Sequence, residues 1–280
     1  MKILSIDVGI KNLAFCLFEK LEATNDFTIA KWDTVNISEQ ETHNCIAVDK
    51  IGLCNKPAKF TMGDNLCFCL KHAKKTSNKI PTADLKSSFV NKQKIQKLYE
   101  IADKYKIVYD KKTKKVELIT LINDYIKHNY FQEVQTKKAT DVDLYNIGIN
   151  IKTHFDKLFS EEVCIDYVII ENQIGPLAIR MKTIQGMLVQ YFVMCPVEVK
   201  HVEFISASNK LKGCDIKDTS KYSDRKKLGI AKCLETITTN SNYSGKVDYF
   251  NAHKKKDDLA DSFLQGLWFL STFSTFYTKL

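Results

Sequence analysis

Arginine, glycine and proline are scarce in this chain of 280 residues, and each scarcity excludes something. With 10 glycines and 4 prolines and no Ser/Gly tract, there is no room for a long disordered linker or a collagen-like segment. The glycines include no GG and no GxG pair, so the chain cannot build the phosphate-cradling turns of a nucleotide site, and no nucleotide cofactor is expected. Arginine occurs only at Arg180 and Arg225, which does not suit a transit peptide. The opening MKILSIDVGI breaks its apolar run at Asp7 and offers no small-residue cleavage site, so a secretory signal is not expected either. Long apolar runs are missing too. The most apolar late stretch, Leu259 to Tyr277, carries Asp261, Gln265 and several Ser and Thr, which suits a core helix and implies no membrane partner. Nine cysteines, an odd number without an export signal, point to thiols in a reducing, intracellular compartment rather than a disulfide framework.

What is present is a foldable core and a segregated positive charge. Hydrophobic residues make up 44% of the chain and charged residues 27%, enough to bury one or two domain cores. The net charge of +9 lies entirely in one central block. Residues 38–83 hold 7 lysines against 4 acids and residues 84–138 hold 13 against 7, while the remainder balances 22 against 22. A lysine-rich solvated surface would share that composition, but its confinement to one block favours an appended polyanion-binding part.

Residues 2–8 and 12–19 read as a strand hairpin around Gly9, with a third strand over 27–35. Helical periodicity returns at Val142, Ile147, Ile151, Phe155 and Leu158, before an almost wholly apolar strand over 164–171 that belongs at a sheet centre. After Gly175-Pro176 follow a helix over about 178–194, a strand over 197–206, a helix near 224–239 and a last helix from about 257. The order βββαβαβαα predicts an α/β domain with a mixed five-stranded sheet, formed by 1–37 plus 139–280 and interrupted by insertions over 38–83 and 84–138.

Asp7 in ILSIDVG and Glu171 in YVIIENQ sit where an apolar strand would refuse a charge, so each needs a partner or a metal. In KKKDDLADSFLQGLW, Asp258 and Asp261 share one helix face, opposite a core stripe of Leu259, Phe263, Leu267 and Leu270. If that helix packs beside the sheet, the four carboxylates converge and can hold one or two Mg²⁺ or Mn²⁺ ions, a geometry suited to phosphodiester cleavage. Singly, such acids are more often caps or surface pairs; the expectation rests on their combination. The opening also fits the first phosphate loop of an actin-like or sugar-kinase-like ATPase, a reading the missing glycine turns remove.

The motifs ILSIDVGIKNLAFCL (3–17), DYVIIENQ (166–173), VEFISASNKLK (202–212) and KKDDLADS (255–262) resemble those of the RuvC-like Holliday junction resolvases of the RNase H-like fold, above all the poxvirus-type resolvases of large DNA viruses and their mitochondrial relatives. The resemblance covers most of the chain outside the central block. It implies that Asp7, Glu171, Asp258 and Asp261 are catalytic metal ligands and that Asp7 bridges two ions. It also implies a homodimer that nicks a four-way junction symmetrically in DNA recombination and repair, at a viral replication site in the host cell. The central block departs from the compact viral pattern.

Within that block, His43, Cys45, Cys54, Cys67, Cys69 and His72 fall inside thirty residues, a density that suggests one tetrahedral structural Zn²⁺ site. Cys45, Cys54, Cys69 and His72 fit best, with Cys67 as the alternative to Cys69; the competing reading is a small core of free thiols. Cys16, Cys164, Cys195, Cys214 and Cys233 read as buried small hydrophobes. Residues 94–126 read as helix, link, basic turn and helix, similar to a SAP-type DNA-binding motif, with Leu98, Ile101, Ile107, Leu118, Leu121 and Ile122 as a small core. Lys111, Lys112, Lys114 and Lys115 would then meet the DNA backbone at the second helix's start. Lys254, Lys255 and Lys256, just before the acidic helix, are placed to screen phosphate charge near a cut. The sequence therefore predicts a metal-dependent, structure-selective junction endonuclease; the rival is a non-catalytic branched-DNA-binding protein of the same fold.

Overall fold

Charge-free, β-branched and aromatic stretches near the start and middle of the chain become the centre of a sheet in the computed structural model, which describes residues 1–24, 26–40, 43–63, 66–134, 137–174, 179–211 and 222–277. In chain order the elements are β1 (Lys2–Asp7), β2 (Asn12–Lys20) and β3 (Phe27–Asn36); then β4 (Val48–Asp49), β5 (Gly52–Leu53), β6 (Phe60–Met62), β7 (Leu66–Phe68), α1 (Leu70–Ala73), α2 (Ser87–Val90), α3 (Ile95–Lys104), α4 (Lys115–Asn129) and β8 (Gln132–Glu133); and last α5 (Leu144–Leu158), β9 (Cys164–Asn172), α6 (Ile179–Met194), β10 (Glu198–Ser206), α7 (Tyr222–Thr239), α8 (Val247–Ala252) and α9 (Lys256–Tyr277). Two compact units result, Met1–Glu39 with Lys137–Leu280, and Gln40–Thr136. Among the described residues no helix is long and apolar enough to cross a membrane.

The first unit carries a five-stranded sheet ordered β10-β9-β1-β2-β3. β2 runs antiparallel to β1 and β3, whereas β9 is parallel to β1 and β10 parallel to β9. This mixed five-stranded α/β sheet, flanked by helices, is the arrangement expected from the sequence. Its central strands are buried on both faces, which is why they read as nearly continuous apolar runs. On one face Leu4, Ile6, Phe15 and Leu17 pack with Ile147, Ile151 and Phe155 of α5 and Ile184 and Leu188 of α6. On the other, Ile3, Cys16, Phe18 and Ile169 meet Cys233 and Ile237 of α7, Phe250 of α8 and Leu259 and Phe263 of α9. Gly266 lets α9 lie close to the sheet, since a Cβ there would stand 2.2 Å from the Phe18 ring. Gly9 closes the β1–β2 turn, where a Cβ would meet the Asn12 carbonyl oxygen at 2.1 Å.

The second unit holds a two-stranded hairpin, β4-β5, and a three-stranded sheet, β7-β6-β8. Because β6 pairs with β8 some seventy residues later, and Lys79 bridges to Tyr130, the cysteine-rich and helical segments belong to one body. Leu85, Val90, Leu98, Ile101, Leu118, Ile122 and Ile126 form the helical core, with Ile107 packed at its edge. Leu121, expected in that core, is 38% exposed; Leu118, Ile122 and Ile126 supply the buried stripe of α4 instead. Cys16 and Cys233 are buried, but Cys164 and Cys195 are half-buried. The expected Gly175-Pro176 turn, Lys212 and Cys214 lie outside the described residues.

Candidate active site and metal centre

Strand register and helix packing bring the acids of the first unit together. Ile6 of β1 pairs with Ile170 of β9 in parallel, so Asp7 and Glu171, the next residue of each, emerge at the same end of the sheet. From β10 the chain enters a 3-10 turn, Ala207–Leu211, carrying Lys210 over that end. The α9 helix, packed on β1 and β2, presents Asp258 and Asp261 there. Lys210 Nζ lies 2.6 Å from Asp7 Oδ1, 3.1 Å from Glu171 Oε1 and 3.7 Å from Asp261 Oδ2, with its side chain 8% exposed. Asp258 stands one helical turn before Asp261, with Lys255 Nζ at 3.9 Å. Asp257 instead pairs with Lys226 of α7.

Three residues of this constellation carry roles the sequence did not disclose. Lys210 is one of many lysines, and only the turn after β10 buries it. Gln173 Nε2 donates to Glu171 Oε2 at 2.8 Å, while the Gln173 backbone amide donates to Gln185 Oε1 of α6 at 3.3 Å, so a relay from α6 orients Glu171. Gln265, one turn beyond Asp261, donates to the Ile6 carbonyl at 3.1 Å and lies 3.3 Å from Ser5 Oγ, fixing α9 to β1 beneath the acids. The usable signal was a polar stripe, Asp258, Asp261 and Gln265, at helical spacing on an otherwise apolar helix.

Crowding of like charge shows in the acidities. Burial, then the Asp7 carboxylate, push Glu171 up to about 7. Burial pushes Asp261 up to about 6, with Lys210 pulling against it and Asp7 adding to it. Asp258 is raised by burial and by Asp257. Burial works against the Lys210 ammonium, but Asp7, Asp261 and Glu171 together raise it far above the ordinary lysine range. The four acids outnumber that one cation. Carboxylate oxygens from three chain segments facing one position are the donor set of a hard divalent ion, so these residues fit Mg²⁺ or Mn²⁺.

The second unit brings a different donor set together. The Cys45, Cys54, Cys69 and His72 ligand atoms all lie within 4.8 Å of one another. His72 Nδ1 is 3.2 Å from Cys45 Sγ and 3.5 Å from Cys69 Sγ, close to the edges of about 3.5–3.8 Å that a tetrahedron of zinc–ligand bonds requires. Cys67 is buried opposite Thr61 in the β6–β7 ladder and is not one of the four. The other ring nitrogen, His72 Nε2, is 3.1 Å from Asp49 Oδ1, the outer-shell carboxylate contact typical of a metal-binding histidine. Burial opposes the Cys45 thiolate, yet the amides of Cys69 and Ala47 and the His72 ring bring it down to about 7. Three thiols and one imidazole in this geometry fit structural zinc.

Lys111, Lys112, Lys114 and Lys115 are all exposed at the turn into α4, where Glu117 accepts from the Lys114 amide at 3.2 Å. Lys254 and Lys255 are exposed and Lys256 half-buried at the start of α9.

The chain has recognisable likenesses among known proteins. A protein of Acanthamoeba polyphaga mimivirus, L451, is 27% identical over 312 residues, spanning 96% of this chain and 74% of that protein. The crystal structure of the fowlpox virus Holliday junction resolvase superposes with a TM-score of 0.45 at 14% identity, over 98% of this chain and 99% of that one. The yeast mitochondrial Holliday junction resolvase Ydc2 gives 0.40 at 12% identity, over 96% and 78%. The family model described as Mitochondrial resolvase Ydc2 / RNA splicing MRS1 matches residues 3–173, a range that contains Asp7, Glu171 and the four zinc-type ligands. With more than half of its length matched, the chain belongs to that resolvase family.

Proposed function

We propose that this protein is a structure-selective endonuclease that resolves four-way DNA junctions by divalent-metal-dependent phosphodiester hydrolysis. The observation that carries the reading is the convergence of Asp7, Glu171 and Asp261 on one buried ammonium, with Asp258 one turn away. An acid cluster this costly to bury has no structural use that apolar side chains would not serve better. Asp7, Glu171, Asp258 and Asp261 would hold Mg²⁺ or Mn²⁺, which when bound supplies Lewis-acid activation of water and steadies the leaving 3′ oxygen. The chain's own part is placement. β1 and β9 fix Asp7 and Glu171 on a rigid sheet, Gln173 orients Glu171, and Gln265 holds the acidic face of α9 against the strand end. Lys254, Lys255 and Lys256 lie beside this face for phosphate contact.

The second unit would supply backbone affinity. Residues 40–136 hold 18 lysines against 10 acids, net +8. Lys114 and Lys115, at the N-cap and first position of α4, oppose the helix dipole, and Lys111 and Lys112 stand in the turn just before them, an arrangement that favours a bound polyanion. Two symmetric nicks in one junction call for two active sites, hence a homodimer. The mimivirus relative supports a viral replication setting, and structural zinc holds the insertion's cysteine-rich part.

The test is cleavage of a synthetic four-way junction in Mg²⁺ with cut sites mapped, beside flap, splayed-arm and linear duplexes. Paired cuts across the junction by wild type and none by Asp7→Asn are expected. Tight junction binding without cleavage or saturable Mn²⁺ binding would instead favour the non-catalytic branched-DNA-binding reading.

A further inference from the structure

The β4–β5 hairpin buries little of itself, yet its base is anchored at both ends. Cys45 and Cys54, two of the four zinc-type ligands, stand at its two ends. Backbone bonds continue the ladder below them, with Cys54 N donating to Ala47 O at 2.8 Å and Cys45 N to Lys56 O at 2.7 Å. Val48 pairs with Leu53 and Asp49 with Gly52, so the two pairs occupy opposite faces. The Asp49 face turns toward the metal centre, where its carboxylate meets His72 Nε2 at 3.1 Å and Lys71 Nζ at 3.2 Å. The other face points away: Val48 is 75% exposed, Leu53 62%, and Ile51 at the tip is fully exposed.

A two-stranded ribbon of this length is marginal in water, and four aliphatic side chains within eight residues, Ile46 included, contribute little to folding when left in solvent. A metal staple at the base of such a ribbon makes sense if the apolar tip has a partner. Charge identifies that partner's class. Lys50 shares the tip with Ile51, and Lys56 and Lys59 are exposed at the base. Asp49 is the one acid of residues 43–63, and Lys71 and His72 already engage it. A ligand that is polyanionic outside and offers apolar faces inside is a nucleic acid with unstacked bases.

We infer that the zinc-stapled hairpin is a wedge that inserts Ile51, flanked by Val48 and Leu53, between base steps opened at a branch point, while Lys50 contacts the adjacent phosphate. Apolar wedges of this kind exchange stacking energy for added contact surface. A branched substrate is then distinguished from a linear duplex by a step that is already unstacked. The inference rests on the proposed branched-DNA function and adds the element that reads the branch.

The experiment uses the full zinc-loaded chain without added Mg²⁺, a four-way junction with 2-aminopurine at the crossover, and a linear duplex with the same probe. Ile51→Ser and the double variant Val48→Ser/Leu53→Ser alter only exposed side chains, and zinc stoichiometry checks that the staple is intact. Wild type should raise the crossover fluorescence. Both variants should lose that rise and bind the junction roughly tenfold more weakly, about the value of burying one aliphatic side chain, with duplex affinity unchanged. Unchanged fluorescence and junction affinity in the variants, while wild type still binds the junction and cuts it once Mg²⁺ is added, overturns the wedge and leaves the endonuclease reading standing. Variants that are monomeric where wild type is dimeric assign the face to a second copy of the chain and likewise overturn it. Failure of wild type to bind the junction overturns both.

Discussion

Replacing Lys210 with methionine keeps the length of the side chain and removes the one cation that Asp7, Glu171 and Asp261 share. Deleting one partner of a buried ion cluster costs about 3–5 kcal/mol when the remaining charges stay ionised. Here proton uptake limits the loss. Glu171 at about 7 and Asp261 at about 6 lie near neutrality already, and without the ammonium both move higher, so near pH 7.5 one of them takes a proton at a cost of only ~1–2 kcal/mol. A net destabilisation of about 1–2 kcal/mol follows, which in a unit of this size lowers the melting temperature by roughly 2–8 °C. The penalty should shrink at pH 5.5, where the acids are protonated in wild type and variant alike. Added Mn²⁺ should restore the variant, and bind it more tightly than wild type, because no ammonium competes for the carboxylates. Calorimetric melts with and without Mn²⁺, at both pH values, read all of this. A loss of stability that is equal with and without Mn²⁺ and at both pH values would refute the reasoning, since it would make Lys210 a packing residue rather than a counter-charge.

The raised acidities of Glu171 and Asp261 set a sign for pH. The folded state binds protons more tightly than the unfolded chain, so their contribution to stability without divalent ions should fall as pH rises from about 4 to 7, and denaturant titrations over that range check it. At subsaturating Mg²⁺, single-turnover cleavage should rise over the same window, because protons and metal compete for the same carboxylates, and saturating Mg²⁺ should shift the rise to lower pH; an apparent Mg²⁺ affinity that does not change with pH contradicts the ligand assignment. Changing Lys111, Lys112, Lys114 and Lys115 to Ala should weaken junction and duplex binding alike and flatten the slope of log K against log salt by up to roughly 3–4 units, while cleavage at saturating protein persists. Cys69→Ser should abolish zinc binding and unfold the cysteine-rich part, whereas Cys67→Ser should retain one zinc by metal analysis; the reverse result would move the ligand to Cys67.

The parts of this fold that could be read from the sequence are those set by local pattern. β1, β2 and β9 are nearly continuous apolar runs because helices cover both faces of the sheet, and an acid at the end of such a run, as Asp7 and Glu171 are, is conspicuous for the same reason. The pair Asp258 and Asp261 stands out against the core stripe that Leu259 and Phe263 supply on the other side of α9. What could not be read depends on contacts distant along the chain. β8 is two residues long, and nothing in Gln132-Glu133 announces a partner at Phe60-Thr61. Leu121 has the same chemistry as Leu118, and only the direction from which α3 approaches α4 decides which of them is buried. The zinc ligands were legible as a cluster, but the wide gap between Cys45 and Cys54 acquires a reason only when the β4–β5 hairpin fills it.

The distribution of charge ties these observations together. Outside residues 40–136 the chain holds 24 basic against 23 acidic residues, and three of those acids meet at the strand ends around Lys210, with Asp258 one helical turn away. A nearly neutral unit that concentrates negative charge in one place repels a phosphate backbone at the position where chemistry on phosphate would occur. Divalent ions bound by the proposed ligands Asp7, Glu171, Asp258 and Asp261 would reverse that local sign, so metal loading and substrate approach would be coupled through the same four side chains. The unit of residues 40–136, at net +8, has no such requirement and can attract the backbone whether or not metal is bound. On the proposed function, affinity and cutting fall to different groups of residues, so removing the lysines of the α4 turn should leave the chemistry untouched, and removing Asp7 should leave the charge that would draw DNA in.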